Sequence, residues 1–213
     1  MKFKELFFLL TFIFIYGCCE NRILNLRIAK DIVQNYYESG AYERELKQIY
    51  QEAKVKIDKI KVKSNSIAIF DVDDTALSNY EIAKKLDFGY DYDIVQDWVM
   101  KAKLPAINPT LEFFNYLKSK GFRLFFLTGR QIDEYDATFQ NLINQGYSNF
   151  DSLIVRSTYE RNISALEYKS SIRKKLSESG FEIKVCIGDQ WSDLEGGYTG
   201  IKIKLPNYLY EIK

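Results

Sequence analysis

Ile67-Ala68-Ile69-Phe70-Asp71-Val72-Asp73-Asp74-Thr75-Ala76-Leu77-Ser78-Asn79 decides how the rest of the chain is read. An unbroken apolar run, Ile67 to Phe70, ends in a burst of aspartates. Such a run marks a strand buried on both faces, the pattern of a parallel sheet. Aspartates cost too much to bury unpaired. At the carboxyl end of a strand they stand where open α/β sheets bind ligands. Asp71 and Asp73 are two apart, so they leave an extended chain on the same side. We read them as half of an acidic metal site whose other half comes from elsewhere in the chain.

Composition narrows the chemistry. The 213 residues suit one domain. A hydrophobic content of 46% allows a real core. Thirty basic and twenty-nine acidic residues nearly cancel, which argues against a nucleic-acid polymer as partner. There is no histidine. Histidine nucleophiles, Ser-His-Asp triads and histidine-built zinc sites are thereby excluded. Catalysis must use carboxylates, hydroxyls, lysine, arginine or a metal held by oxygen.

The N-terminus reads as a targeting segment. Lys2 and Lys4 precede an apolar run from Leu6 to Ile15. That run is about half the roughly 20 residues a transmembrane helix needs. With Gly17 before Cys18, it has the form of a secretory signal. It resembles the lipobox of bacterial lipoproteins, in which the cysteine is lipidated; an ordinary signal peptide is the alternative. We divide the chain into a signal peptide (1–17), a tether (18–25) and a domain (26–213), exported and lipid-anchored through Cys18 at the bacterial cell envelope. Cys186 is then the only thiol of the folded part and reads as a small buried hydrophobe.

Beyond the tether, Tyr42, Leu46, Ile49, Ala53, Ile57 and Ile60 keep the spacing of one helix face. Gly40 separates this helix from an earlier one carrying Ile28, Ile32, Val33 and Tyr36. After the Asp burst, residues 78–105 are rich in aromatics and contain no good strand. They form an insertion above the proposed site, with Asp93 as a helix cap and Trp98 in its core. Further on, Asn108-Pro109 starts a helix that Gly121 stops. Buried strands follow at Arg123–Leu127, Ser152–Val155, Ile183–Ile187 and Ile201–Leu205, separated by helices near 133–145 and 163–178. This alternation predicts a parallel sheet with helices on both faces.

Three strand ends carry polar residues: Asp71/Asp73, Thr128-Gly129-Arg130 and Asp189/Asp193. In a parallel sheet all three share one rim. Hard carboxylate oxygens suit Mg²⁺. The Thr128 hydroxyl and the Gly129 backbone suit a phosphate oxygen, and Lys169 can set a cation against phosphate charge. Arg130 is open between a phosphate contact and an ion pair. Asp74 reads as a turn or surface residue, and Trp191 as packing beneath the metal loop.

In this order and spacing, Asp71-x-Asp73-x-Thr75, Thr128-Gly129-Arg130, Lys169 and Gly188-Asp189-x-x-x-Asp193 resemble the four motifs of the haloacid dehalogenase (HAD) superfamily of phosphohydrolases. Longer segments narrow the likeness, among them Tyr168-Lys169-Ser170-Ser171, Gly188-Asp189-Gln190-Trp191-Ser192-Asp193-Leu194 and Lys204-Leu205-Pro206-Asn207. They resemble the acid phosphatase subfamily, which groups bacterial class C lipoprotein acid phosphatases with plant acid phosphatases and vegetative storage proteins. The resemblance implies a HAD-like Rossmannoid parallel sheet flanked by helices, with a small helical, aromatic insertion after the first strand and an N-terminal helical extension. It implies Asp71 as nucleophile, Asp73 as general acid and then base, and Thr128, Gly129 and Lys169 as holders of the phosphoryl group. Asp71, the Asp73 carbonyl, Asp189 and Asp193 would bind Mg²⁺. A metal on Asp71 would leave Asp73 as the protonated partner. The expected activity is Mg²⁺-dependent hydrolysis of small phosphomonoesters, nucleotide monophosphates among them, through an aspartyl-phosphate. A storage or binding lipoprotein on the same fold, and phosphoryl transfer to an acceptor other than water, are the competing readings. The aromatics of 80–98, with Tyr208 and Tyr210, are the candidates for gripping a base.

Overall fold

A computed structural model describes residues 23–212. The proposed signal peptide, Cys18 and Cys19 lie outside the described residues. Among those described, no helix is long and apolar enough to cross a membrane.

Two helices come first, α1 (Leu26–Glu38) and α2 (Ala41–Ile57). Asn25 caps α1 by accepting from the Arg27 N–H at 2.9 Å. Gly40 stands between the helices at φ 77°, a conformation that favours glycine. α1 buries none of its residues, and Ile28 and Ile32 stay exposed. α2 buries Tyr42, Leu46, Tyr50, Ala53 and Ile57. Tyr50 joins the expected face, whose Ile49 and Ile60 pack partly buried against the core, and reaches the Thr110 hydroxyl at 2.7 Å.

The strands are β1 (Ser66–Phe70), β2 (Arg123–Gln131), β3 (Ser152–Arg156), β4 (Glu182–Gly188) and β5 (Ile201–Lys204). They form one sheet in the order β3-β2-β1-β4-β5. Every pairing is parallel, as the apolar runs predict. β1 lies at the centre and is buried throughout. Its alternate side chains serve two cores: Ala68 and Phe70 one, Ile67 and Ile69 the other.

Between β1 and β2 lie α3 (Tyr80–Lys85), α4 (Tyr92–Met100) and α5 (Asn108–Ser119). The first two make the aromatic insertion. Asp91, two residues before the expected Asp93, caps α4 by accepting from the Ile94 N–H at 3.1 Å. The third begins one residue earlier than expected, with Ile107 as cap and Pro109 in the first turn. α6 (Tyr135–Asn144) follows β2, and α7 (Ala165–Glu178) follows β3. The larger core joins α2, α5 and α6 residues to one sheet face; Tyr168, Ile172 and Leu176 of α7 cover the other.

β2 runs four residues past its predicted end, through Thr128-Gly129-Arg130 to Gln131. Its pairing with β3 shifts register between Leu127 and Gln131. The irregularity falls on the motif itself, where a ladder would otherwise occupy the backbone groups the chemistry needs.

Candidate active site

The carboxyl ends of β1, β2 and β4 meet at one rim of the sheet. Carboxylate oxygens of Asp71, Asp189 and Asp193 lie within 4.8 Å of one another, and all three residues are buried. Lys169, the fifth residue of α7, reaches Asp71 Oδ1 at 2.5 Å and also bonds Asp193. Burial opposes the Lys169 ammonium, but Asp193 and Asp71 outweigh it and raise its pKa. Burial pushes Asp71 well above the usual carboxylate range against the pull of Lys169, and Asp193 and Asp189 add to the rise. Burial, with Asp193 beside it, brings Asp189 up to about 6. Three buried carboxylates facing one ammonium leave excess negative charge. The donors are hard oxygens, which fits a divalent cation of the Mg²⁺ type.

Each ligand candidate is held from behind. Asp189 accepts from the Thr75 hydroxyl (3.1 Å), from Gln190 Nε2 (2.7 Å) and from Asn207 Nδ2 (2.7 Å). Asp193 accepts from the Gln190 N–H (2.9 Å) and so caps its own short turn while facing Lys169. A Cβ on Gly188 would overlap the Asp193 carboxylate, so glycine at the end of β4 makes room for that side chain. Arg173, fully buried one helical turn after Lys169, donates to the carbonyls of Asp193 (2.8 Å), Gly197 (3.1 Å) and Glu195. Lys204 Nζ holds the Asp189 carbonyl at 2.6 Å. The sequence reading missed Arg173, although its place four residues after Lys169 put both on one helix face.

Asp73 stands apart from the three-carboxylate cluster. Arg130 grips it with two parallel bonds, Nη2 to Oδ1 at 2.7 Å and Nε to Oδ2 at 3.0 Å. Asn79 Nδ2 donates to Oδ1 at 3.0 Å. Arg130 is therefore an ion-pair residue. Burial favours the neutral Asp73, but the Arg130 charge and these hydrogen bonds prevail and lower its pKa. The expected order, with Asp73 the protonated partner, assumed a cation on Asp71. The protein's own groups give the reverse order, because the guanidinium sits on Asp73.

Asp74 is a turn residue at φ 52° but lies inside, only 3% exposed. It accepts from the Asn79 N–H at 2.9 Å, and burial, with Asp189 nearby, lifts its pKa to about 7. The surface half of the expectation fails because the turn folds beneath Asn79. Trp191 is 54% exposed under Lys204 Nζ, so it does not pack beneath the metal loop. Thr128 is buried, and its hydroxyl accepts from the Arg130 N–H at 3.2 Å. Burial brings the Cys186 thiol up to about 12, which suits a packing residue rather than a nucleophile.

A cavity of about 900 Å³ opens over this rim. Asp71, Asp73, Gly129, Arg130, Lys169 and Asp189 reach its wall; Thr128 and Asp193 stand behind it. The insertion contributes Phe88, Tyr90, Tyr92 and Val95, and the tail contributes Tyr210 and Ile212. Tyr80 and Tyr208, two of the candidate base grips, are elsewhere. Tyr80 stacks on Tyr37 (centroids 4.9 Å apart) and Tyr208 packs on Tyr36 (5.0 Å).

Residues 20–213 match the family described as HAD superfamily, subfamily IIIB (Acid phosphatase). The chain belongs to this family of acid phosphatases. It is thus of the HAD phosphomonoesterase type. It is 34% identical over 189 residues to the stem 28 kDa glycoprotein of Glycine max, covering 86% of this chain and 74% of that one. It is 33% identical over 188 residues to acid phosphatase 1 of Solanum lycopersicum, covering 85% and 74%. The fold is similar to that of the class C acid phosphatase from Bacillus anthracis. There the TM-score is 0.70 at 21% identity, over 87% of this chain and 85% of that one.

Proposed function

We propose that this acid phosphatase hydrolyses small phosphomonoesters with Mg²⁺ as cofactor, using Asp71 as nucleophile. The observation that carries the proposal is the convergence of Asp71, Asp189 and Asp193 on Lys169 at the floor of the cavity. Asp71, Asp189 and Asp193, with the Asp73 carbonyl, would hold the ion, which would neutralise charge on the phosphoryl group.

The chain's own groups supply the rest. An Asp71 carboxylate oxygen attacks phosphorus in line, the bond to the leaving oxygen breaks, and an aspartyl-phosphate forms. Asp73 gives its proton to the leaving oxygen and then takes one from the water that cleaves the intermediate. Lys169 and the Gly129 backbone hold phosphoryl oxygens, with the Thr128 hydroxyl beside them. Because Arg130 favours the ionised Asp73, the proton is available mainly in acid, which fits an acid phosphatase. Nucleotide monophosphates suit the cavity in size and in the aromatic character of its insertion wall.

Replacing Asp71 with Asn should abolish turnover of a chromogenic phosphomonoester, and chelation should do so reversibly, with Mg²⁺ restoring the rate. Unchanged turnover by the variant would sink the proposal. A folded wild-type sample inactive across Mg²⁺ and pH would favour a storage or binding role.

The proposal extends to location: export and anchoring at the cell envelope through a lipid on Cys18. It is supported by the Leu6–Ile15 apolar run followed by Gly17-Cys18. Cys18→Ser should move the protein from the membrane fraction to the soluble fraction; an unchanged distribution would count against the anchor.

A further inference from the structure

Most charged side chains at the cavity have an opposite charge to answer them. Arg130 faces Asp73, and Lys169 faces Asp71 and Asp193. Arg156 does not. It ends β3, is 7% exposed and lines the cavity. Its Nη1 donates to the carbonyls of Glu160 (3.2 Å) and Ile163 (2.8 Å). Its Nε, buried, has no hydrogen-bond partner among the described residues. The Glu160 carboxylate attracts Arg156 through space but forms no ion pair with it, accepting instead from the Ser157 N–H (2.9 Å) and hydroxyl (2.7 Å). The guanidinium lies 4.8 Å from the centroid of the Tyr168 ring, which supports a cation without neutralising it. A buried charge without a hydrogen-bonded ion-pair partner is expensive, and one on a cavity wall calls for an anion from solution.

We propose that Arg156 recognises a second anionic group on the substrate, so that the preferred phosphomonoesters are those whose leaving group carries a carboxylate or a further phosphate. The inference rests on the phosphatase reading above. Two observations separate this anion from the phosphoryl group being transferred. Asp71 and Lys169 already mark the reacting end. β3 is two strands away from β1, roughly 10 Å at the usual strand spacing. Arg156 Nε comes within 3.9 Å of where a Cβ on Gly129 would stand, so the second anion would lie alongside the phosphoryl end. Arg161, on the same wall, is already paired with Asp133 (3.6 Å), its Nε held by Gln131 Oε1 at 3.1 Å, so Arg156 is the cation left to answer an incoming anion. A cavity of about 900 Å³ has room for such a leaving group, with Tyr90, Tyr92 and Val95 to pack its apolar part. Burial lowers the Arg156 pKa, a strain that a bound anion would relieve.

The test uses two esters of nearly equal shape, 3-carboxyphenyl phosphate and 3-carbamoylphenyl phosphate, at a pH where the carboxyl is ionised. Wild-type protein should prefer the carboxylate in kcat/KM by about tenfold or more, the worth of one charge-assisted hydrogen bond. Arg156→Gln should bring that ratio toward one, and Arg156→Lys should keep part of it. A ratio within one sample does not depend on how much of a variant folds. Equal kcat/KM for the two esters in wild type would overturn the inference, as would an equal loss on both in Arg156→Gln. Failure of wild type to hydrolyse either ester would overturn the phosphatase reading, and this inference with it.

Discussion

Arg130 gives Asp73 two parallel donors in a partly buried setting, an arrangement that resists protonation. Its effect on the pH profile has a definite sign. Removing the cation raises the Asp73 pKa, so a larger fraction carries the leaving-group proton at any given pH. Arg130→Gln should therefore move the optimum of kcat upward by about one pH unit or more. A kcat–pH profile on an aryl phosphate measures this, and an optimum that stays or falls would count against Asp73 as the proton donor. Asp74 shows the converse case. It carries the same side chain one residue on, but only the Asn79 amides answer it, and its pKa rises to about 7. Neighbouring aspartates thus differ by the partner each turn residue meets, which is a tertiary property.

At the scale of elements, β4 and α7 cooperate. β4 ends in Gly188 so that Asp193 can fold back, and α7 brings Lys169 to that carboxylate and Arg173 to the carbonyls behind it. Gly188→Ala leaves the strand's backbone conformation accessible but pushes Asp193 outward. The Mg²⁺ concentration for half-maximal activity should rise about 10- to 100-fold, as for a displaced metal ligand or its support. Metal titration of the activity checks this; an unchanged requirement would show that Asp193 is no ligand. The sheet was legible because short apolar runs that each end in polar residues, with helices between them, fit few arrangements except buried parallel strands. The acidic cluster was legible because its members sit at those strand ends. Arg156 sits at such an end too, yet a single arginine closing a short strand resembles an ordinary solvated charge. The cap of α4 falls two residues from its expected place because Asp91 and Asp93 are locally near-equivalent, whereas α5 starts one residue early on Ile107, which offers no capping side chain, against local preference. The depth of Asp74 and the exposure of Trp191 depend on what packs over them, which spacing does not encode.

At the scale of the whole molecule, β1 is the meeting point of distant segments. It pairs with β2 and with β4, more than a hundred residues further on, and parallel pairing over such separations is slow to form. The segment after β5 returns across the rim. Asn207 bonds Asp189, Ile212 donates to Gln190 Oε1 at 3.0 Å, and the Tyr208 N–H meets the Tyr37 hydroxyl at 3.3 Å. The described parts nearest the two chain ends are therefore joined beside the acidic cluster. The consequence concerns truncation. A chain cut after Leu205 keeps Asp71, Thr128, Lys169, Asp189 and Asp193 but loses the Asn207 amide, leaving Asp189 with Thr75 and Gln190 as its side-chain donors. Loss of these last residues should therefore loosen the acidic cluster without removing any of its carboxylates.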